Sequence, residues 1–249
     1  MRIRLLNCFT CKAYIPGHLQ TGGAVLVIES DGGVILVDSG LGQQDYQTPP
    51  RALRDMKLVT RVPMDPEEAA VCQLTRLGFS PEDVTDIVLT HMHYDHCGGL
   101  ADFSAARVHV SSKELDAFKN PGGHWLDRGY ESRHIEHKPR FELYGEPDAE
   151  WKGFQAMRVR VNPEIYLIPL PGHTTGHCGV VLKTDSGWWL HAGDAAPASF
   201  DDSMPHFFTR IVLGPHIRRL FEFREANPDI RVTTGHMLLS DDAFGRWFK

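Results

Sequence analysis

The sequence predicts an α/β protein of four layers, αββα, in which two β-sheets pack face to face and helices cover their outer faces. Two observations support this prediction. Each half of the 249-residue chain begins with strand-like segments and continues with helix-like segments. Side chains able to bind metal are spread from His91 to His236, and one site must collect them, so the halves cannot fold independently. We therefore expect residues 1–249 to form a single domain, with its site at one edge of the two sheets.

The first half contains short apolar runs separated by polar turns. Residues 24–29 and 34–37 are apolar and are joined by Ser-Asp-Gly-Gly, which is typical of a β-hairpin. Residues 43–66 are polar and longer than a simple connection requires, so we expect a functional or mobile loop there. A helix is expected from Pro66 to Gly78, because proline and glutamates favour its first turn and glycine its end. Further elements are expected as strands at 87–90 and 108–110 and as a helix at 112–119.

The second half begins with a long irregular segment and then returns to strands. Residues 120–153 are aromatic and lack a regular period, so a solvated loop is expected, with a pocket-lining loop as the alternative. Residues 215–226 have the apolar spacing of an amphipathic helix, and a short strand at 230–233 would deliver His236. Two hairpins are expected in between, the first from strands at 157–161 and 164–169, and the second from strands at 178–183 and 188–191.

The composition is that of an ordinary globular protein, with 42% hydrophobic and 23% charged residues. The formal charge of −6 argues against a nucleic-acid partner, since such proteins usually carry a basic face. No apolar stretch is long enough to span a bilayer, and the N-terminus lacks the apolar region of a signal peptide. Five cysteines cannot all pair, which fits a reducing compartment. We therefore expect a cytoplasmic protein without nucleic-acid or membrane partners.

The most informative feature is a cluster of metal-binding side chains directly after a predicted strand. His91, His93, Asp95 and His96 lie within six residues, immediately after the apolar run at 87–90. On an extended chain His91 and His93 point the same way, with Cα atoms about 6–7 Å apart, so both rings can reach one ion. Asp95 and His96 follow after the chain turns and can face a second ion. A solvated histidine-rich loop is the alternative, but it would have no reason to follow a buried strand.

This cluster begins a series of motifs that resembles the metallo-β-lactamase superfamily of metal-dependent hydrolases. Members of that family continue with a Gly-His-Thr, then a Gly-Asp after a strand, then a final Gly-His. The same elements occur here in the same order, from His91 to His236. The resemblance implies the αββα sandwich of that family and a centre of two divalent metal ions. The matching motifs are Gly172-His173-Thr174, Gly193-Asp194 and Gly235-His236.

The resemblance also implies which residues hold each ion. Zinc is the first expectation, because imidazole and carboxylate ligands suit it, while iron, cobalt and manganese suit the same ligands. Three further residues are expected to orient the ligands from behind, with strand-end capping as the alternative for the first of them: Asp38, Thr174 and His177. The implied ligands are His91, His93 and His173 for the first ion, Asp95, His96 and His236 for the second, and Asp194 as a bridge between both.

The chemistry implied by such a centre is hydrolysis. Two divalent ions about 3.5–4 Å apart lower the pKa of bound water to roughly 7 and hold a bridging hydroxide, which attacks an electrophilic carbonyl. Neutral histidine ligands leave the ions acidic toward water and substrate. Asp95 is the candidate catalytic residue, since it can accept a hydrogen bond from the hydroxide and later carry a proton to the leaving group. The chain has no Gly-x-Ser-x-Gly motif to support a covalent intermediate.

Within the superfamily the chain is most similar to the small lactonases that open acyl-homoserine lactones, which predicts a lactone or small ester as substrate. Those enzymes often have a tyrosine three residues after the bridging aspartate, where this chain has Pro197. Tyr94, Phe207 and Phe208 are candidate substrate contacts, each with ordinary packing as its alternative. Two other functions stay open: a thioester or phosphodiester hydrolase of the same fold, and a mono-iron oxidoreductase similar to sulfur dioxygenases. A homodimer that uses residues 43–66 as its contact is a further expectation.

Overall fold

The computed structural model describes residues 1–13, 20–55, 60–123, 125–196 and 214–248. Two β-sheets form the centre of the part so described. In chain order the strands are β1 (Arg2–Ala13), β2 (Gln20–Ser30), β3 (Gly33–Val37), β4 (Thr60–Arg61), β5 (Val84–Val88), β6 (Arg107–Ser111), β7 (Arg140–Tyr144), β8 (Ala149–Trp151), β9 (Phe154–Arg158), β10 (Ile165–Pro169), β11 (Cys178–Thr184), β12 (Gly187–His191), β13 (Arg231–Thr233), β14 (His236–Leu238) and β15 (Trp247–Phe248).

The first sheet has the order β15-β1-β2-β3-β5-β6-β7, with β14 paired to β2 and β4 paired to β1. Strands β3, β5, β6 and β7 are parallel, so their carboxyl ends lie at the same edge of the sheet. The second sheet has the order β13-β12-β11-β10-β9-β8 and is antiparallel except for the pair β12 and β13. Because β14 leaves the second half to pair with β2, the C-terminal part of the chain reaches the first sheet.

The helices lie between the strands, and most of them are short. An amphipathic face is clear in the last one, where Ile217, Leu220 and Phe223 are buried at a spacing of three residues. Within the described residues, no helix is long and apolar enough to cross a lipid bilayer. The α-helices are α1 (Gln43–Gln47), α2 (Arg51–Asp55), α3 (Ala70–Arg76), α4 (Tyr94–Cys97), α5 (Ser112–Lys119) and α6 (Ile217–Ala226). The 3-10 turns are Pro66–Glu68, Pro81–Asp83, Gly98–Phe103, Trp125–Gly129, Ser132–Ile135 and Gly193–Ala195.

Three apolar clusters show the order of the layers. Alternate residues of β2 point to opposite faces of the first sheet, Leu26 and Ile28 toward the second sheet and Val25 and Val27 toward the helices. The outer face of the second sheet packs against α6 through a third cluster that includes Leu220. Helices, first sheet, second sheet and helix therefore form four layers, and the predicted αββα fold class is confirmed.

The helix predicted from Pro66 to Gly78 is interrupted. A 3-10 turn covers Pro66–Glu68, Ala69 has an extended backbone, and α3 begins only after it. The Glu68 carboxylate accepts hydrogen bonds from the backbone and hydroxyl of Thr10 on β1, and its carbonyl accepts one from Gln73. These contacts with another element outweigh the local helix propensity and turn the chain between the two pieces.

The segment 120–153 is more regular than the sequence predicts. Strand β7 extends the first sheet beside β6, β8 pairs with β9, and two 3-10 turns precede them. The polar residues of β7 hide its period, because this edge strand is only partly covered and Leu143 stays exposed. Residues 43–55, also predicted as loop, contain α1 and α2. The two predicted hairpins of the second sheet are present, as β9 with β10 and β11 with β12, but β9 lies three residues earlier than the strand predicted at 157–161.

Candidate metal centre

The first four candidate ligands lie where β5 ends. The chain leaves the sheet after Val88, and the carbonyl of Thr90 accepts a hydrogen bond from the backbone of Cys178 in the second sheet. His93 then precedes the single turn of α4. This turn brings Asp95 and His96 back over the sheet edge, while His91 and His93 stay on the extended segment before it. The change from extended chain to helix therefore divides the motif into two pairs that face different points.

The remaining candidate ligands come from loops at the same edge. His173 follows β10, and Asp194 lies in a 3-10 turn directly after β12. Gly193 has a φ of +54°, and a Cβ atom there would lie 2.7 Å from Nε2 of His177, so only glycine fits. The backbone of Gly235 donates to the carbonyl of Gly193, and His236 begins β14 immediately afterwards. Asp194 and His236 are thereby held side by side.

The seven side chains form three overlapping groups whose ligand atoms lie within 4.8 Å of one another. Two ring nitrogens of the first group lie close together, with Nε2 of His173 at 3.0 Å from Nδ1 of His93. Asp194 touches both sides of the cluster, because its Oδ2 atom lies 3.3 Å from Nε2 of His173 and 3.4 Å from Nε2 of His236. The groups are His91, His93 and His173; His91, His96 and Asp194; and Asp95, His96 and His236.

Hydrogen bonds determine which nitrogen two of the histidines present to the cluster. The single proton of the Thr90 hydroxyl is donated to Asp38, so the hydroxyl oxygen accepts from Nδ1 of His91 at 3.0 Å. Nδ1 of His96 likewise donates to Asp38 at 2.9 Å. Both rings therefore turn Nε2 toward the cluster, and neither of these buried atoms has a hydrogen-bond partner. One carboxylate oxygen of Asp194, Oδ1, is also buried without a partner.

These unpartnered atoms fit divalent metal ions. Buried polar atoms without partners are costly, and lone pairs on imidazole and carboxylate are the ligands that zinc and related ions prefer. The pKa values point the same way. Burial and neighbouring histidines lower the pKa of His93 to about 3, so the ring is neutral. Burial also lowers the pKa of His96, but the Asp194 and Asp38 carboxylates outweigh it and raise that pKa well above its usual value. The carboxylates thus draw positive charge into the cluster.

Asp38 supports this arrangement from behind. Its side chain is 1% exposed and lies at the end of β3 with a φ of +61°. One oxygen accepts from the Thr90 backbone at 2.8 Å, and the other accepts from the Thr90 hydroxyl and from His96. The carboxylate therefore connects the end of β3 to both halves of the metal motif.

Thr174 and His177 support the second loop. Nε2 of His177 accepts a hydrogen bond from the backbone of Asp194 at 3.0 Å, and burial lowers the pKa of His177 well below its usual value, so its ring is neutral. The Thr174 hydroxyl donates to the buried carboxylate of Glu114 at 2.7 Å. Both residues therefore link the loop around His173 to neighbouring parts of the centre.

The candidate substrate contacts have different outcomes. Tyr94 is 6% exposed and packs edge to face against Phe9, with ring centroids 6.4 Å apart, which favours a packing role over contact with substrate. Phe207 and Phe208 lie outside the described residues, as does Pro197.

Two residues near the first histidines are not among the predicted site residues. Glu114 is fully buried and accepts hydrogen bonds from three loops, yet its position in the first turn of α5 is typical of a surface glutamate. Tyr130 lies with its ring 5.2 Å from that of His93 and donates to Glu114. The aromatic composition of residues 120–153 hints at Tyr130, but only the folded chain reveals Glu114.

Comparisons with curated proteins give relatives over most of this chain. A probable metallo-hydrolase of Mycobacterium tuberculosis is 35% identical over 198 residues, which cover 78% of this chain and 62% of the relative. An N-acyl homoserine lactonase of Bacillus cereus is 26% identical over 185 residues, which cover 72% of this chain and 66% of the relative. The chain thus spans less than two thirds of the length of each of these two relatives.

Solved structures and a family model agree on the fold. An N-acyl homoserine lactone hydrolase with N-hexanoyl-L-homoserine bound at its catalytic metal center is similar with a TM-score of 0.73, at 21% identity, over 99% of this chain and 98% of that one. A probable metal-dependent hydrolase from Staphylococcus aureus gives a TM-score of 0.64, at 17% identity, over 99% and 95%. The model of the metallo-beta-lactamase superfamily matches residues 20–236. The resemblance in the motifs is therefore confirmed, and the chain belongs to the metallo-beta-lactamase superfamily.

Proposed function

We propose that this protein is a hydrolase that holds two divalent metal ions in the candidate metal centre and opens a lactone or a small ester. The observation that carries the proposal is the convergence of seven histidine and aspartate side chains, among which Nε2 of His91, His93 and His96 and Oδ1 of Asp194 are buried without a hydrogen-bond partner. The superfamily match and the metallo-hydrolase relatives support the assignment to metal-dependent hydrolases.

The ligand assignment follows the groups in the cluster. His91, His93 and His173 would hold the first ion, Asp95, His96 and His236 the second, and Asp194 would contact both. When bound, the ions would lower the pKa of water to roughly 7 and supply a hydroxide for attack on the substrate carbonyl. Zinc is the proposed metal, and iron, cobalt and manganese suit the same ligands.

Asp95 is the proposed proton carrier. Its Oδ2 atom lies 3.3 Å from Nε2 of His236, and its side chain is 9% exposed, so the carboxylate is not completely closed off from solvent. In opening a lactone, the carbonyl carbon gains a bond to hydroxide oxygen and loses its bond to the ring oxygen. The Asp95 carboxylate would accept the hydroxide proton and deliver it to that leaving oxygen.

The substrate class is the finer part of the proposal. Relatives named N-acyl homoserine lactonases cover 72% of this chain, which supports a cyclic ester. Thioesters and phosphodiesters are the alternatives within the same chemistry. A cytoplasmic location is supported by the five cysteines, all of which are free thiols. Small-molecule binding without nucleic acid, and a homodimer through residues 43–66, stay predictions.

The test is a substrate panel on protein of defined metal content. The protein is stripped with chelator, reloaded with zinc, and assayed by proton release on lactones, esters, thioesters and phosphodiesters. We expect no hydrolysis by the stripped protein, recovery on reloading, and the highest kcat/KM on a lactone or ester. Undiminished hydrolysis after complete chelation would contradict the metal mechanism. One tightly bound iron per chain, with no hydrolysis of any panel member, would favour a mono-iron oxidoreductase instead.

A further inference from the structure

Glu114 is a buried carboxylate that accepts hydrogen bonds from three separate segments around the metal centre. It lies in the first turn of α5 and has no exposed surface. Oε1 accepts from the backbone of Met92 at 2.9 Å and from the Tyr130 hydroxyl at 3.2 Å. Oε2 accepts from the Thr174 hydroxyl at 2.7 Å and from the backbone of Gly176 at 3.1 Å. Each oxygen therefore has two donors, which uses the acceptor capacity of the carboxylate fully.

Three of the four donors lie beside ligands of the first group, and the fourth, Gly176, lies three residues after His173. Met92 stands between His91 and His93 in the chain, and Thr174 follows His173 directly. Tyr130 packs its ring on that of His93, at 5.2 Å between centroids. The hydrogen bonds found for Glu114 go to these segments, and the loop that carries His236 contributes none of them.

The contact between α5 and the loop after β10 is too close to tolerate a larger residue. A Cβ atom on Gly176 would lie 2.1 Å from the backbone nitrogen of Glu114 and 2.4 Å from its Cα. Burial raises the pKa of Glu114, and the four donors oppose that rise because each stabilises the charged carboxylate. The carboxylate and the close backbone contact together tie α5 to the two loops that carry the first group of ligands.

We propose that Glu114 is a positioning residue for the first metal ion, which fixes the spacing between the His91 and His93 segment and the His173 loop. This inference rests on the proposed function, because it requires that the cluster binds metal. Glu114 does not contact the ion. It acts by holding three ligands at the separation that one ion needs, so its loss affects the affinity of one ion far more than that of the other.

The test measures the two zinc affinities of Glu114→Gln by titration against a competing chelator. Glutamine keeps the shape of the side chain but turns an amide N–H₂ toward two donors, so two of the four hydrogen bonds are lost. We expect one of the two affinities to fall by about 10–100-fold, the usual effect of removing a group that orients a ligand, while the other changes less than about threefold. A variant of the second group, His236→Ala, identifies which affinity belongs to which ion.

Cobalt absorption gives a readout that general destabilisation would not produce. In cobalt-loaded protein, Glu114→Gln should shift the absorption bands of the cobalt ion at the first site. The bands of the cobalt ion at the second site should stay unchanged. An equal loss of affinity for both ions would overturn the inference, and so would unchanged affinities and spectra in a folded variant. A wild-type protein that binds no metal would instead overturn the proposed function, so the two failures are distinguishable.

Matched variants keep the inference testable if Glu114→Gln does not fold. Thr174→Val removes one donor to the carboxylate, and Thr174→Ser retains it. Thr174→Val should lower the affinity for the first ion, and Thr174→Ser should not. Equal affinities in these two variants would overturn the inference. The control Asp86→Asn alters another buried carboxylate, which bonds His109 and Arg107 away from the centre. It should lower the free energy of unfolding and leave both zinc affinities unchanged.

Discussion

Single buried residues decide how the histidines of the centre face one another. Asp38 accepts from His96, and through Thr90 it orients His91, so both rings keep a proton on Nδ1 and turn Nε2 toward the cluster. His177 accepts from the Asp194 backbone and thereby holds the aspartate that touches both groups. Such partners commonly set the tautomer and orientation of metal-binding histidines. The ligands alone are therefore only half of the design of this centre.

Glycine at position 235 gives a prediction at this scale. A Cβ atom there would lie 2.2 Å from Oδ1 of Asp194 and 2.8 Å from Cε1 of His96. Gly235→Ala should displace both side chains, reduce zinc affinity by at least about tenfold, and lower the free energy of unfolding by about 1–3 kcal/mol. Chelator competition and urea unfolding measure these effects. The matched control is Gly122→Ala, where the nearest atom is 4.0 Å away, and an equal effect in both variants would refute the steric explanation.

At the scale of elements, the sequence predicts best where the local pattern and the tertiary environment agree. The interior strands of the two sheets follow apolar runs, so β3, β5, β11 and β12 appear close to where the pattern predicts them. Edge strands such as β7 are partly polar and give no such signal. The helix predicted from residue 66 is broken because Glu68 pairs with β1, a contact between residues 58 positions apart that no local pattern contains.

The candidate site shows the same division. The motif at His91 and the distant residues that follow a glycine identify the side chains able to bind metal. The structure brings all seven of them together. The supporting residues differ in visibility. Asp38 directly follows a strand, and a polar residue at such a position is a candidate site residue. Only the folded structure identifies Glu114, because its role depends on its burial among three loops and not on its position along the chain.

The ion pair between α1 and the 3-10 turn Ser132–Ile135 gives a prediction at the scale of elements. Asp45 is fully buried and accepts from the Gly42 backbone at 3.0 Å, from His134 at 2.9 Å, and from Arg133. Asp45→Asn should lower the free energy of unfolding by about 2–4 kcal/mol, because buried donors and a cation lose their charged partner.

Urea denaturation measures this loss. The control is Asp242→Asn, which breaks an exposed ion pair with Arg246 and should change the free energy of unfolding by less than about 1 kcal/mol. If Asp45→Asn also changed it by less than about 1 kcal/mol, the pair would not hold these two elements together.

At the scale of the whole molecule, the centre connects the two sheets. Its residues come from the loop and α4 that follow β5, from the loops after β10 and β12, and from β14, which pairs with β2 across the chain. The two proposed ions together would join all of these segments, so they would bind the folded protein in preference to the unfolded chain. Metal affinity should therefore appear directly as stability of the complete fold.

Calorimetry tests this coupling. Residues 1–249 are predicted to unfold as one domain, so stripped protein should show a single transition. Zinc at 100 times the Kd of each site should add about 2.7 kcal/mol per site, or about 5 kcal/mol for the two sites, which raises the Tm by roughly 10–20 °C. Magnesium, which prefers oxygen ligands, serves as the control and should shift the Tm much less. Two separate transitions, of which zinc moved only one, would contradict a single domain joined at the metal centre.

The most direct test of the two-ion centre is a crystal structure of zinc-loaded protein with anomalous scattering at the zinc edge. We expect two anomalous peaks per chain, about 3.5–4 Å apart. One should lie among His91, His93 and His173, the other among Asp95, His96 and His236, with Asp194 touching both. A single peak, or peaks outside this cluster, would contradict the two-ion centre on which the proposed hydrolysis depends.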